Sequence, residues 1–139
     1  MIQLVNNRRP MIIAIDFDDT LFDGFNTGDY YNGNRLYPTP LFKTLIDLKE
    51  KYKDCLYYIL FTCKYDEKEL TEIYNMCLDK GLVIDIVNDN YCNLPFKTSG
   101  KVYADLYIDN CSNAMPINVE HISNYISSIL ESDLLRDFY

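Results

Sequence analysis

Basic charge is scarce in this sequence: 13 Lys and Arg stand against 21 Asp and Glu, for a formal net charge of −8. Proteins that track a nucleic-acid backbone usually present a basic face, so this balance argues against a nucleic-acid partner. A small phosphorylated substrate stays open, because a metal ion and one or two lysines can reverse the field inside a cleft. No apolar run approaches membrane-spanning length, so no membrane partner is expected. Histidine is reduced to His121, which falls on a predicted helix far from the other polar clusters and reads as a surface residue. Tryptophan is missing while tyrosine reaches 13, and no function follows from either.

Cysteine pairing is also missing. Cys55, Cys63, Cys77, Cys92 and Cys111 are widely spread, and no two have C-x-x-C spacing. The amino terminus carries Arg8 and Arg9 without a long apolar region before them, so no secretory signal is predicted. An odd number of cysteines in that context fits reduced thiols, small apolar packing and a cytoplasmic location. The 139 residues suit one domain with its own core, and no repeat, low-complexity tract or linker divides residues 1–139.

What is present starts with Ile12-Ile13-Ala14-Ile15-Asp16-Phe17-Asp18-Asp19-Thr20. A short apolar run, read as a buried strand over Met11 to Asp16, breaks into three acids within four positions. Carboxylates crowded at a strand end repel one another unless a cation sits among them. A hard divalent metal is the usual cation, and ligands of α/β sheets bind just outside the carboxyl ends of the strands.

Further elements follow in alternation. Leu21 to Tyr37 is rich in Gly, Asn, Asp and Tyr and reads as an irregular loop or small hairpin. Thr39-Pro40 reads as an N-cap with proline in the first turn, opening a helix to about Lys53. Leu56 to Phe61 is a second strand, ending at Thr62. Asp66 and Glu69 have capping-box spacing, and Leu70, Ile73, Tyr74, Cys77 and Leu78 give a helical face that Gly81 closes. Leu82 to Val87 reads as a third strand and Asp105 to Asp109 as a fourth, and Asn118 caps a last helix through Leu130. Strands alternating with helices predict an α/β fold, a three-layer sandwich around a mostly parallel central sheet.

In a parallel sheet the strand ends share one edge, which would gather Asp16, Asp18, Thr62, Lys64 and Asp109, with Lys101 shortly before the last strand. A carboxylate nucleophile, a second carboxylate for proton transfer, a hydroxyl, a lysine and a further metal-binding carboxylate are what phosphoryl transfer through an aspartyl-phosphate requires.

At this point the chain resembles the haloacid dehalogenase superfamily of phosphohydrolases. Its hhhDxDxT motif is matched by Ile13 to Thr20, its strand ending in Thr or Ser by Tyr58 to Thr62, and its late acidic pair by Leu106 to Asn110. The chain is closer still to a small capless subgroup of bacteria and phages. It shares that subgroup's T-C-R/K segment at Thr62-Cys63-Lys64, its V-N-x-N segment at Val87 to Asn90, and its K-x-Y-A-D-x-Y-I-D-D segment from Lys101.

The resemblance implies a Rossmann-like core and an Mg²⁺-dependent phosphatase. Asp16 would be the nucleophile and Asp18 the acid and base. Asp16, the backbone carbonyl of Asp18 and Asp109 would hold Mg²⁺. Thr62 and Lys101 would bind the phosphoryl group, with Lys97 as the alternative lysine and Lys64 as a further substrate-binding candidate. Asn110 departs from the motif by losing a charge, so a catalytically weak phosphate- or metal-binding module is the alternative function. Asp105 is either a compensating ligand or a structural partner of Lys101, and Asp19 braces the following turn. A phospho-receiver domain would place its phosphorylated Asp after the third strand, near Asn88-Asp89, where the expected flanks are missing. Neither interval between the motifs has room for a large cap domain. The loop from Gly24 to Tyr37, with Phe25, Tyr30 and Tyr31, is the candidate lid, and a homo-oligomeric neighbour is the other way to close the cleft.

Overall fold

A computed structural model describes residues 9–23, 36–109 and 117–132. Four parallel strands form the central sheet: β1 (Met11–Ile15), β4 (Leu56–Leu60), β5 (Ile86–Val87) and β6 (Leu106–Ile108). They lie in the order β5-β4-β1-β6, with β1 between β4 and β6. All five residues of β1 are buried, as an unbroken apolar run at the centre of a parallel sheet must be. A two-stranded antiparallel ribbon pairs β2 (Phe22–Asp23) with β3 (Tyr37–Pro38), matching the small hairpin expected there. Residues 24–35, which include the rest of the candidate lid, lie outside the described residues.

Three helices complete the fold: α1 (Pro40–Tyr52), α2 (Glu67–Asp79) and α3 (Val119–Ser132). Proline opens α1, but Thr39 does not cap it; its hydroxyl donates to the carbonyl of Thr20 at 2.6 Å and ties the helix to the turn after β1. Asp66 caps α2 by accepting from the amides of Lys68 and Glu69. The capping box is half made, because the Glu69 carboxylate meets Lys64 at 3.1 Å instead of returning to the cap. At the other end Gly81, at φ +95°, donates to Leu78 and Leu82 donates to Cys77, the paired bonds of a Schellman turn. Asn118 caps α3 through the amide of His121, which is exposed as expected.

The strand alternation divides the core. Met11, Ile13 and Ile15 of β1, with Leu56, Tyr58 and Leu60 of β4, share one cluster with the buried residues of all three helices. Ile12, Ala14 and Ile59 face the other way, where Tyr91, Leu94, Val102 and Tyr103 cover them. The sandwich is therefore helices, sheet, and a third layer of irregular chain between β5 and β6. Each large side chain buried in the helical layer contributes about 1.5–3 kcal/mol, so that layer dominates the driving force.

Two strands are shorter than the sequence suggests. Of Leu82 to Val87 only Ile86 and Val87 join the ladder: in the register Ile59↔Ile86, Leu82 would face Cys55 in the turn before β4 begins. Asp105 and Asp85 stand just outside β6 and β5, and each closes the ladder with its side chain. Asp105 donates its amide to Ile12 and accepts the Ile12 amide on Oδ2; Asp85 does the same with Tyr58. Among the described cysteines, Cys55 and Cys77 are buried and Cys63 and Cys92 exposed, and none of the four is in a disulfide. Cys111 lies outside the described residues. No described helix is long and apolar enough to cross a membrane.

Candidate active site

Asp16 leaves the carboxyl end of β1 held on both sides. Its amide donates to Ile108 of β6, while the Phe61 amide donates to Ile15. The chain then turns sharply, with the Phe17 carbonyl accepting from Thr20, Leu21 and Phe22. Asp19 takes the left-handed position of this turn at φ +58°, one that Asp tolerates better than most residues. It braces the turn, as expected. Thr20 is buried, and its hydroxyl donates to Asp16 Oδ2 at 3.3 Å.

The Asp16 carboxyl is pushed up to about 6. Burial is the main cause, followed by the charge of Asp109; Asp18 adds to it, while the Phe17 amide and the Thr20 hydroxyl pull the other way. Asp16, Asp18 and Asp109 thus meet at the sheet's carboxyl edge, and at Asp16 burial and the acidic neighbours outweigh its hydrogen bonds.

Thr62 and Lys64 arrive from the end of β4. The Thr62 amide donates to Asn88 Oδ1 at 2.8 Å, and Asn88 Nδ2 donates to the Lys64 carbonyl at 3.4 Å. Asn88, at φ +49° just beyond β5, therefore clamps the Thr62-Cys63-Lys64 loop onto the sheet edge. The Thr62 hydroxyl accepts from the Lys64 amide at 3.3 Å, which keeps its own proton available to a ligand oxygen. Lys64 reaches back to Asp18 Oδ2 at 3.0 Å and to Glu69 at 3.1 Å. Burial pulls its ammonium pKa down, but the hydrogen bonds and charges of Asp18 and Glu69 outweigh that and leave it above the ordinary value. Lys64 is thus a half-buried bridge between the turn after β1 and α2.

Lys101 stands apart from these groups. It is exposed, and no ion pair among the described residues joins it to Asp16. Its backbone carbonyl accepts from Asn90, whose side chain also accepts from the Tyr103 amide and donates to Thr98. Asn90 thereby fixes the loop that carries Lys101. Lys101 and the alternative, Lys97, line one cleft of about 380 Å³ with Thr98, Ser99, Tyr103, Ala104 and Tyr107.

Asp105 is structural, but its partner is Arg9, not Lys101. The guanidinium of Arg9 grips Asp105 with two bonds of 2.6 and 2.7 Å, and Tyr103 donates to the same carboxylate at 2.7 Å. With that acceptor engaged at the amino end of β6, Asp105 does not face the cleft as a compensating ligand. Burial and the bond to Asp105 push the Tyr103 hydroxyl up to about 12. Asn110 lies outside the described residues.

A divalent cation fits the donor set by its chemistry. Asp18 Oδ1 is shielded from solvent and has no hydrogen-bond partner among the described residues, and the Asp16 carboxyl resists ionising while a second and third acid stand nearby. Among the described residues no group of three or more His, Cys, Asp or Glu side chains is gathered as a metal cage. The set expected from the sequence needs only the side chains of Asp16 and Asp109, with a backbone carbonyl.

No family model matches the chain, and neither does any curated protein. It is similar to the solved structure of a conserved protein from Bacteroides thetaiotaomicron, at 28% identity and a TM-score of 0.63, over 86% of this chain and 92% of that one. That likeness agrees with the class the architecture defines: an α/β protein with a mostly parallel, Rossmann-like sheet. No large cap domain interrupts it, the described residues between Asp16 and Thr62 forming β2, β3 and α1 and those between Thr62 and Lys101 forming α2 and β5.

Proposed function

We propose that the protein is a phosphomonoester hydrolase of haloacid dehalogenase type, working through phosphorylated Asp16. The observation that carries the reading is the convergence of Asp16, Asp18, Thr62 and Asp109 at one sheet edge, with Asp16 raised to about 6 by burial and by its acidic neighbours. An oxygen of the Asp16 carboxylate attacks phosphorus while the bond from phosphorus to the leaving oxygen breaks. Asp18 gives that oxygen a proton, then takes one from the water that attacks the phosphoryl group and frees Asp16. Thr62 donates to a phosphoryl oxygen, and Lys64 holds Asp18 in place through their ion pair. Asp16, Asp109 and the Asp18 carbonyl would hold Mg²⁺, which would supply charge neutralisation to the transferring group. Lys101, or Lys97 from the same cleft, would meet the phosphate as substrate enters.

The substrate is a small phosphorylated compound, since the acidic surface disfavours long nucleic acid and nothing supports a membrane partner. A cytoplasmic location and closure of the cleft by a second copy belong to the same reading. Turnover of an aryl phosphate with Mg²⁺, wild type against Asp16→Asn, tests it: loss of at least about 10³-fold is expected, and equal turnover overturns it. Asn110 favours a second reading, a weak or inactive phosphate- or metal-binding module, which a wild-type protein without turnover would support.

A further inference from the structure

If the protein is the proposed hydrolase, two aromatic rings beside Asp16 stand where the leaving group of the substrate would lie. In the sheet register Ala14 of β1 lies between Ile59 of β4 and Tyr107 of β6. Side-chain alternation then puts Tyr107 and Phe61, which follows Leu60, on the face of Ala14, away from the helices. The two rings approach across β1, with centroids 6.1 Å apart, over a residue small enough to leave them room. Both keep large exposed areas, 38% for Phe61 and 41% for Tyr107, although the neighbouring strand residues Ile59 and Ile108 are buried.

Position and rigidity argue for a role. Phe61 directly precedes Thr62 and hydrogen-bonds beside Asp16 through its amide, so its ring flanks the candidate nucleophile. Tyr107 is held by its hydroxyl, which donates to Val102 at 2.7 Å and accepts from the Ala104 amide at 3.1 Å. A ring locked in this way loses little freedom when a flat group stacks on it. Tyr107 also walls the cleft of about 380 Å³ that holds Lys97 and Lys101, a size within the range of small-molecule pockets. Two lysines and the hydroxyls of Thr98, Ser99, Tyr103 and Tyr107 in that lining suit a polar, anionic small molecule and not an apolar protein face.

We propose that Phe61 and Tyr107 form a stacking platform for the leaving group, and that the substrate class is a phosphomonoester bearing a planar aromatic ring of nucleoside size. The ring would lie on the platform, with its sugar hydroxyls towards the lysine cleft and its phosphate at Asp16.

The test compares the non-hydrolysable phosphonate analogue of adenosine monophosphate with that of ribose 5-phosphate, each titrated into the full chain with Mg²⁺ by calorimetry. Base–aromatic stacking predicts a preference for the nucleoside compound of about tenfold or more. In Phe61→Leu, which keeps the apolar bulk, the preference should shrink towards unity. Equal affinities in the wild type, or a preference that survives both Phe61→Leu and Tyr107→Leu, would overturn the inference. So would a concentration-dependent dimer that buries both rings and shows no preference. Aryl phosphate turnover without the preference refutes the platform alone; the preference without turnover refutes the hydrolase reading alone.

Discussion

Aspartates at the two ends of this sheet live under opposite conditions. At the amino end, Asp105 and Asp85 each accept a strand amide and each face a cation, Arg9 and Lys49 respectively. Their charge is matched where it stands. At the carboxyl end, Asp16, Asp18 and Asp109 crowd together, and among the described residues Lys64 is shared between Asp18 and Glu69. The same side chain therefore closes the fold at one end and, at Asp16, stands crowded by neighbouring acids at the other. Structural acids come with their counter-charge built in, whereas a carboxyl whose proton is held by burial and by neighbouring acids marks a place for an incoming cation.

The strongest way to break this contrast is to unmatch the amino end. Arg9→Met would leave Asp105 buried without its guanidinium, and denaturant unfolding should show a loss of about 3–5 kcal/mol. A loss below about 1 kcal/mol would place Asp105 among ordinary exposed carboxylates. Matching the carboxyl end should act in the opposite sense: Mg²⁺ at a hundred times its dissociation constant should add about 2.7 kcal/mol at neutral pH. That gain, followed by thermal unfolding, should vanish in Asp109→Asn.

The pH dependence of the metal-free protein comes next. Asp16 binds its proton more tightly folded, at about 6, than at its ordinary 3.8. Its contribution to stability is therefore fully present below about pH 4 and is lost as pH rises through about 6. Asp16→Asn should remove this decline and leave the metal-free protein more stable at neutral pH by on the order of 1 kcal/mol, after allowing for solvent screening. The smallest expected effect is Lys49→Met, about 1 kcal/mol or less, because the Lys49–Asp85 pair is partly open to water.

The sequence was legible where local chemistry alone decides. The apolar run into Asp16, the proline at the start of α1, the Asp66 and Asn118 caps and the Gly81 turn all come from short-range rules, and the structure carries each of them. It was less legible where a partner is distant in the chain. Arg9 finds Asp105 across ninety-six positions, and Lys64 finds Asp18 across forty-six. Nothing in the local pattern of either lysine or arginine announces that pairing. The V-N-x-N segment gave a usable signal: its two asparagines each clamp a loop of the candidate site, Asn88 holding Thr62 to Lys64 and Asn90 holding Thr98 to Tyr103. The irregular third layer was hidden because Tyr91, Leu94, Val102 and Tyr103 have no helical or strand period, and they are ordered by what they cover.

The central proposal is that the crowded acids at the carboxyl edge form a phosphoryl-transfer centre with Asp16 as nucleophile. Fluorine NMR of the protein with beryllium fluoride and Mg²⁺ tests it most directly, because the adduct needs both a competent carboxylate and the metal. A bound-fluoride signal that requires Mg²⁺ and disappears in Asp16→Asn is the predicted result. No adduct in the wild type, or the same signal in Asp16→Asn, would contradict the account.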